Sequence, residues 1–210
     1  MRILAIDCAT EACSAALFDG SRLLDHRFEQ LGRGHAERLV PMVAELPDKG
    51  RADRILVSLG PGSFTGVRIG LAAARALGLA WGAEVLGYPT LTLVAARSWQ
   101  PQPRPVTVCM NGGHGQWFVQ NFSDGSTAED AVRSLKPEEA AKAARHRVIA
   151  GNRAQELAAL LADGGEEKPP LALDLLPDAR ATYLLHETQL TADLTPIYGR
   201  APDAKKPGEA

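Results

Sequence analysis

The chain has 210 residues, 45% of them hydrophobic and 23% charged, enough apolar material for one large or two small packed domains and too much for a disordered segment. Its net charge of -2 at pH 7 lacks the concentrated basic surface with which a protein holds nucleic acid by neutralising phosphates. The three cysteines, at positions 8, 13 and 109, form no CxxC pair and cannot all pair among themselves, which suggests neither a disulfide framework nor a cysteine-rich zinc site and leaves free thiols as the expectation.

Residues 3–6 form a short buried-type strand cut off by Asp7, too short for a signal-peptide core. No stretch later in the chain has the roughly 20 mainly apolar residues that a membrane helix needs, so a cytoplasmic protein without membrane contact is expected. A second strand at 14–18 runs into an Asp-Gly turn, and a third at 23–28 completes a meander. Leu39, Val40, Val43 and Leu46 fall at helical spacing and predict the first helix, which ends near 48–50. A buried strand at 55–59 leads through a glycine-rich loop, 60–66, into a helix reaching Leu79; a strand at 84–86 and a third helix at 91–97 follow.

This order, three strands and then alternating helices and strands, is that of a ribonuclease-H-like unit, an α/β fold with a mixed sheet. Residues 100–105 read as a proline-rich linker. The second half restarts with paired strands at 106–110 and 117–122 and helices near 137–144 and 153–162, as a degenerate second copy would. The expected division is a first lobe over 1–99, a second over 106–199 and a mobile tail over 200–210, with a polar loop at 164–170.

The chemistry-bearing residues are few. In the loop, Gly60, Gly62 and Gly66 let the backbone turn, and Ser63 or Thr65 can cap the helix that follows. Such a loop can bind an anion, but it lacks the Lys-Ser or Lys-Thr of a phosphate-binding P-loop, and a structural turn is the favoured reading. Asp7, with Thr10 and Ser14 close behind it, sits where phosphate-handling actin-like kinases place a carboxylate and a hydroxyl-rich turn, although a lone Asp at a strand end is more often a turn-former. The five histidines contain no pair four apart, which disfavours a metal site, and Gly-x-Ser-x-Gly is absent. His35 with Glu37 could suggest an acid–base pair, but a Glu in a first turn is expected simply to complement the helix dipole. Gly66, Gly70 and Ala74 recur every four residues, a row that would admit another helix closely, although by itself an internal core helix is the favoured reading of it.

The run 60–75, Gly-Pro-Gly-Ser-Phe-Thr-Gly-Val-Arg-Ile-Gly-Leu-Ala-Ala-Ala-Arg, resembles the signature of the TsaB family, the glycoprotease-like subunits of threonylcarbamoyladenosine synthesis; 6–10, 34–41 and 196–198 with Arg200 agree with it. At 111–118 the chain departs from the family's usual pattern. The resemblance implies a two-lobed actin-like kinase fold and a non-catalytic subunit. Its first lobe would bind a TsaD-type catalytic paralogue, with a TsaE-type ATPase joining and tRNA reached only through the complex. It also implies a homodimer when the partner is absent and no cofactor of the chain's own, and it leaves open a nucleotide at the subunit junction. The docking surface is then expected from His35, Leu39, Met42 and Val43 on the first helix and from Val67, Arg68, Gly70, Leu71, Ala74, Arg75 and Gly78 on the second. Asp7, Thr10, Gly60, Gly62, Ser63, Thr65 and Gly66 are the residues expected at any anion. The rival readings are an active actin-like-fold kinase or acyl-transfer enzyme, and a peptidase; no second acidic phosphate loop, nucleophile–base set or metal ligand set supports either.

Overall fold

A computed structural model describes residues 1–98, 102, 104–123, 127–162 and 169–199. Half of the linker expected at 100–105, most of the polar loop at 164–170 and all of the tail at 200–210 lie outside the described residues. Strands β1 (Arg2–Asp7), β2 (Ala12–Asp19), β3 (Arg22–Gln30), β4 (Arg54–Ser58) and β5 (Glu84–Tyr88) form one sheet in the order β3-β2-β1-β4-β5. Its first three strands are antiparallel, and β1, β4 and β5 run parallel. Helix α1 (His35–Ala44) joins β3 to β4, α2 (Phe64–Trp81) joins β4 to β5, and α3 (Thr90–Ser98) follows β5.

The second half repeats this plan with shorter strands. In β6 (Val106–Gly113), β7 (Gln116–Phe122), β8 (Arg133–Leu135), β9 (Val148–Ala150) and β10 (Leu171–Leu173) the order is β8-β7-β6-β9-β10, the order of the first sheet taken five strands later. Helices α4 (Pro137–Ala143) and α5 (Ala154–Ala162) occupy the places of α1 and α2. The chain is thus two ribonuclease-H-like lobes of the actin-like kinase type, the second degenerate. The sequence pattern missed β8, β9 and β10 because three-residue strands are too short to show a period.

Alternation along each strand sorts side chains into layers. Leu4, Ile6, Leu17, Ile55 and Val57 pack beneath α1 and α2, while Ala5, Ala16, Phe18, Leu56 and Tyr88 face the other way, toward Leu93 of α3. Leu91, Val94 and Ala95 of the same helix pack on Val106, Val108, Met110 and Phe122 of the second sheet. Covered by both sheets, α3 is buried at every position except Arg97. On the outer face of the second sheet, Cys109, Val119 and Ile149 meet Ala140 of α4 and Leu157 of α5. After β10 the chain returns to the first lobe. A 3-10 turn, Ala179–Leu184, buries Ala179 and Ala181 against the first sheet; Thr191 pairs with Gly87, and the Ile197 amide donates to the Leu59 carbonyl at 2.8 Å.

Candidate functional site

The glycine-rich loop rests on the β1–β2 turn, and its glycines answer to that contact. A Cβ on Gly62 would run into the Ala9 carbonyl, and one on Gly66 into that of Cys8. Gly60 has φ +89°, in the left-handed region. The Ser63 amide donates to the Ala9 oxygen at 2.7 Å, and the Ser63 hydroxyl accepts from the Gly66 amide at 3.2 Å, capping α2. Thr65 is exposed and Gly66 is buried. The structural reading of this loop therefore accounts for Gly60, Gly62, Ser63 and Gly66.

Asp7 closes beneath this loop rather than opening to solvent. Its carboxylate accepts from the Ala9 amide (2.9 Å) and the Tyr88 hydroxyl (3.1 Å), and the group is 1% exposed. Burial, the largest influence, pushes its pKa up to about 6 against the pull of those two donors. Ser14 is also covered: its hydroxyl accepts from the Ala179 amide at 3.0 Å. Only Thr10 of that trio lines open space, and its hydroxyl accepts from the Ala12 amide at 3.2 Å.

That space is a cleft of about 660 Å³ between the lobes, walled by Thr10, Ser63, Phe64 and Arg68 on one side and Asn111, His114 and Phe118 on the other. Its carboxylate, Glu11, accepts from the Asn152 side-chain amide at 3.0 Å and so latches one lobe to the other. The departure from the family pattern at 111–118 is a two-residue hairpin. His114 (φ 51°) and Gly115 (φ 72°) are both left-handed between the paired residues Gly113 and Gln116, the geometry of a type I′ turn. Among the described residues no group of three or more His, Cys, Asp or Glu side chains could hold a metal, and no helix is long and apolar enough to cross a membrane.

The expected docking residues are redistributed by burial. Leu39, Met42, Val43, Val67, Leu71 and Ala74 belong to the core, and the buried His35 ring donates from Nε2 to the Ala12 carbonyl at 3.2 Å. Gly70 faces Val57, Cys8 and Ile6, while a Cβ on Gly78 would strike Val85. The row Gly66, Gly70, Ala74 thus seats α2 on its own sheet, which corrects the expectation that it faces outward. Arg68 and Arg75 are exposed but engaged: Arg75 donates to the Leu194 carbonyl (3.1 Å) and Arg68 to the Tyr198 hydroxyl (2.7 Å), with the Arg68 guanidinium 3.3 Å above the Phe64 ring. Apart from these two arginines, what α1 and α2 present to solvent is a different set, Glu37 included. Ala36, Val40 and Ala44 on one helix and Ala72, Ala76 and Ala80 on the other repeat every four residues, with Leu79 beside them at 89% exposure. Sequence spacing contained this second row too; choosing between the two rows required knowing which side meets the sheet.

The family model that matches, over residues 29–190, is described as TsaD, tRNA N6-adenosine threonylcarbamoyltransferase. The tRNA threonylcarbamoyladenosine biosynthesis protein TsaB of Escherichia coli is 33% identical, with 95% of each chain covered. Among solved structures, YeaZ from Pseudomonas aeruginosa superposes with a TM-score of 0.76 at 26% identity, covering 94% of this chain and 99% of that one. Ethanolamine utilization protein EutJ from Carboxydothermus hydrogenoformans shares the fold at a TM-score of 0.50 and 9% identity, with 88% of this chain and 89% of that one covered. The chain belongs to the family that the TsaD model describes and, within it, to the TsaB proteins of tRNA threonylcarbamoyladenosine biosynthesis.

Proposed function

We propose that this chain is a non-catalytic subunit that docks a TsaD-type catalytic paralogue through the outward face of α1 and α2. The observation that carries the reading is the apolar character of that face. Val40 is 55% and Leu79 89% exposed, amid alanines, and the two arginines of α2 are spent on the C-terminal segment. Contiguous exposed apolar surface marks an interaction site, and alanines every four residues let a second helix approach closely. In this reading the chemistry resides in the partner, a TsaE-type ATPase joins the assembly, and tRNA is reached through the complex in the cytoplasm.

The test mixes the purified chain with the TsaD protein of the same organism and measures affinity by calorimetry. Ala76→Trp is expected to weaken binding roughly five- to a hundredfold, because overpacking a tight contact costs on the order of 1 to 3 kcal/mol at about 1.4 kcal/mol per factor of ten, and Leu79→Asp by a comparable factor, because it would bury an unpaired carboxylate. Both positions are exposed, so melting temperatures should stay near the parent's. Leu160→Asp, on the outer face of α5, should bind like the parent. Unchanged affinity in both α2 variants would place the docking surface elsewhere.

A further inference from the structure

The β1–β2 connection brings together two side chains that nothing in the docking reading uses. Cys8 follows β1 and Cys13 lies near the start of β2, one step beyond the paired residues Asp7 and Ser14. Directly opposed residues of an antiparallel pair have Cα atoms about 4.5 to 5.5 Å apart, inside the roughly 4.4 to 6.8 Å that a disulfide spans. Here the two sulfurs already lie 3.6 Å apart, both thiols free and buried. Cys109 sits in the second lobe, on the outer face of its sheet, and belongs to a different core cluster.

We propose that Cys8 and Cys13 form a reversible dithiol–disulfide site, oxidised by exchange with a small-molecule disulfide. The Cys13 thiolate attacks one sulfur of the reagent and releases the first equivalent of its thiol. The Cys8 sulfur then gives up its proton, attacks Cys13 Sγ and displaces the second. One protein disulfide forms, the reagent's S–S bond is reduced, and two reagent thiols carry away the two protons. The order of attack follows from the pair's hydrogen bond, which holds Cys13 below the ordinary thiol range and Cys8 well above it. Entry of the reagent requires local opening of the turn 8–11, which has no helix or strand assignment and borders the cleft through Ala9, Thr10 and Glu11. Closure would cross-link this turn beneath both helices of the docking face, since Cys8 packs near Gly70 of α2 and Cys13 reaches Met42 of α1.

The experiment incubates the folded full-length chain with 2-hydroxyethyl disulfide, alkylates the remaining thiols in denaturant, and maps the digested peptides by mass spectrometry. Alkylatable thiols are expected to fall from three to one. Cys109 should be the survivor, with a linked peptide joining Cys8 to Cys13 and full recovery on reduction. A Cys109→Ser chain should form the same link. Three alkylated thiols, a persistent adduct of the reagent on Cys13, or a link that includes Cys109 would each overturn the assignment.

Discussion

At Asp7 the local environment works against the charge. A folded-state pKa of about 6 against the ordinary 3.8 means that between those values the folded chain holds a proton that the unfolded chain has released. Stability from this group is therefore present below pH 3.8 and is lost as pH rises through 6, by about 3 kcal/mol at 1.36 kcal/mol per pKa unit. Asp7→Asn keeps an oxygen that can accept from the Ala9 amide and removes the titration. Urea unfolding of parent and variant between pH 4 and 7 should show the parent losing stability relative to the variant, and parallel curves would contradict the assignment. Glycines 66 and 70 provide a second contrast within one helix. A Cβ at Gly66 meets the Cys8 carbonyl, whereas at Gly70 its nearest neighbours are 3.5 to 3.9 Å away, ordinary contact. Gly66→Ala should cost on the order of 1 to 3 kcal/mol, while Gly70→Ala should be neutral or gain up to about 1 kcal/mol from helix propensity. Thermal melts that moved the same way for both variants would refute the distinction.

Among the elements, the segment after β10 departs most from its place in the chain. It follows the second sheet in sequence, and Leu175, Leu176, Leu184 and Leu185 pack on that sheet, yet from Thr191 on its hydrogen bonds reach the first lobe: Thr191 with Gly87, Leu194 with Arg75, Ile197 with Leu59, and Tyr198 with Arg68. Ile197 and Leu194 pack against the core beneath α1 and α2. A chain ending at residue 190 should remain folded but lose roughly 2 to 4 kcal/mol, the sum of two partly buried aliphatic side chains and a few hydrogen bonds. Hydrogen exchange should show the Gly87 amide deprotected in that chain, since it donates to the Thr191 carbonyl at 2.7 Å. Full protection at Gly87 would mean that the segment contributes nothing to the edge of the first sheet.

On the scale of the whole molecule, five layers alternate: α1 and α2, the first sheet, α3 with the 3-10 turn 179–184, the second sheet, and α4 with α5. One outer layer carries the exposed apolar row. Without a partner such a face is expected to cover itself with a second copy of the chain. Sedimentation of the isolated chain should show its average mass rising with concentration toward a dimer, and Leu79→Asp should hold it as a monomer. A parent chain that stays monomeric across the accessible range would remove self-association from the account.

The element order of the first lobe was legible in the residues because its strands and helices are long enough to show their periods, and the run 60–75 carried the family by itself. Helix α3 could be placed, but not that two sheets cover it. The three short strands of the second lobe and the return of residues 179–198 to the first lobe follow from long-range pairing, which leaves no local trace. The side of α2 that faces inward was decided by tertiary packing alone. Both Gly66, Gly70, Ala74 and Ala72, Ala76, Ala80 repeat every four residues, and only contact with the carbonyls of the β1–β2 turn and with β4 assigns the first row to the core and leaves the second in solvent.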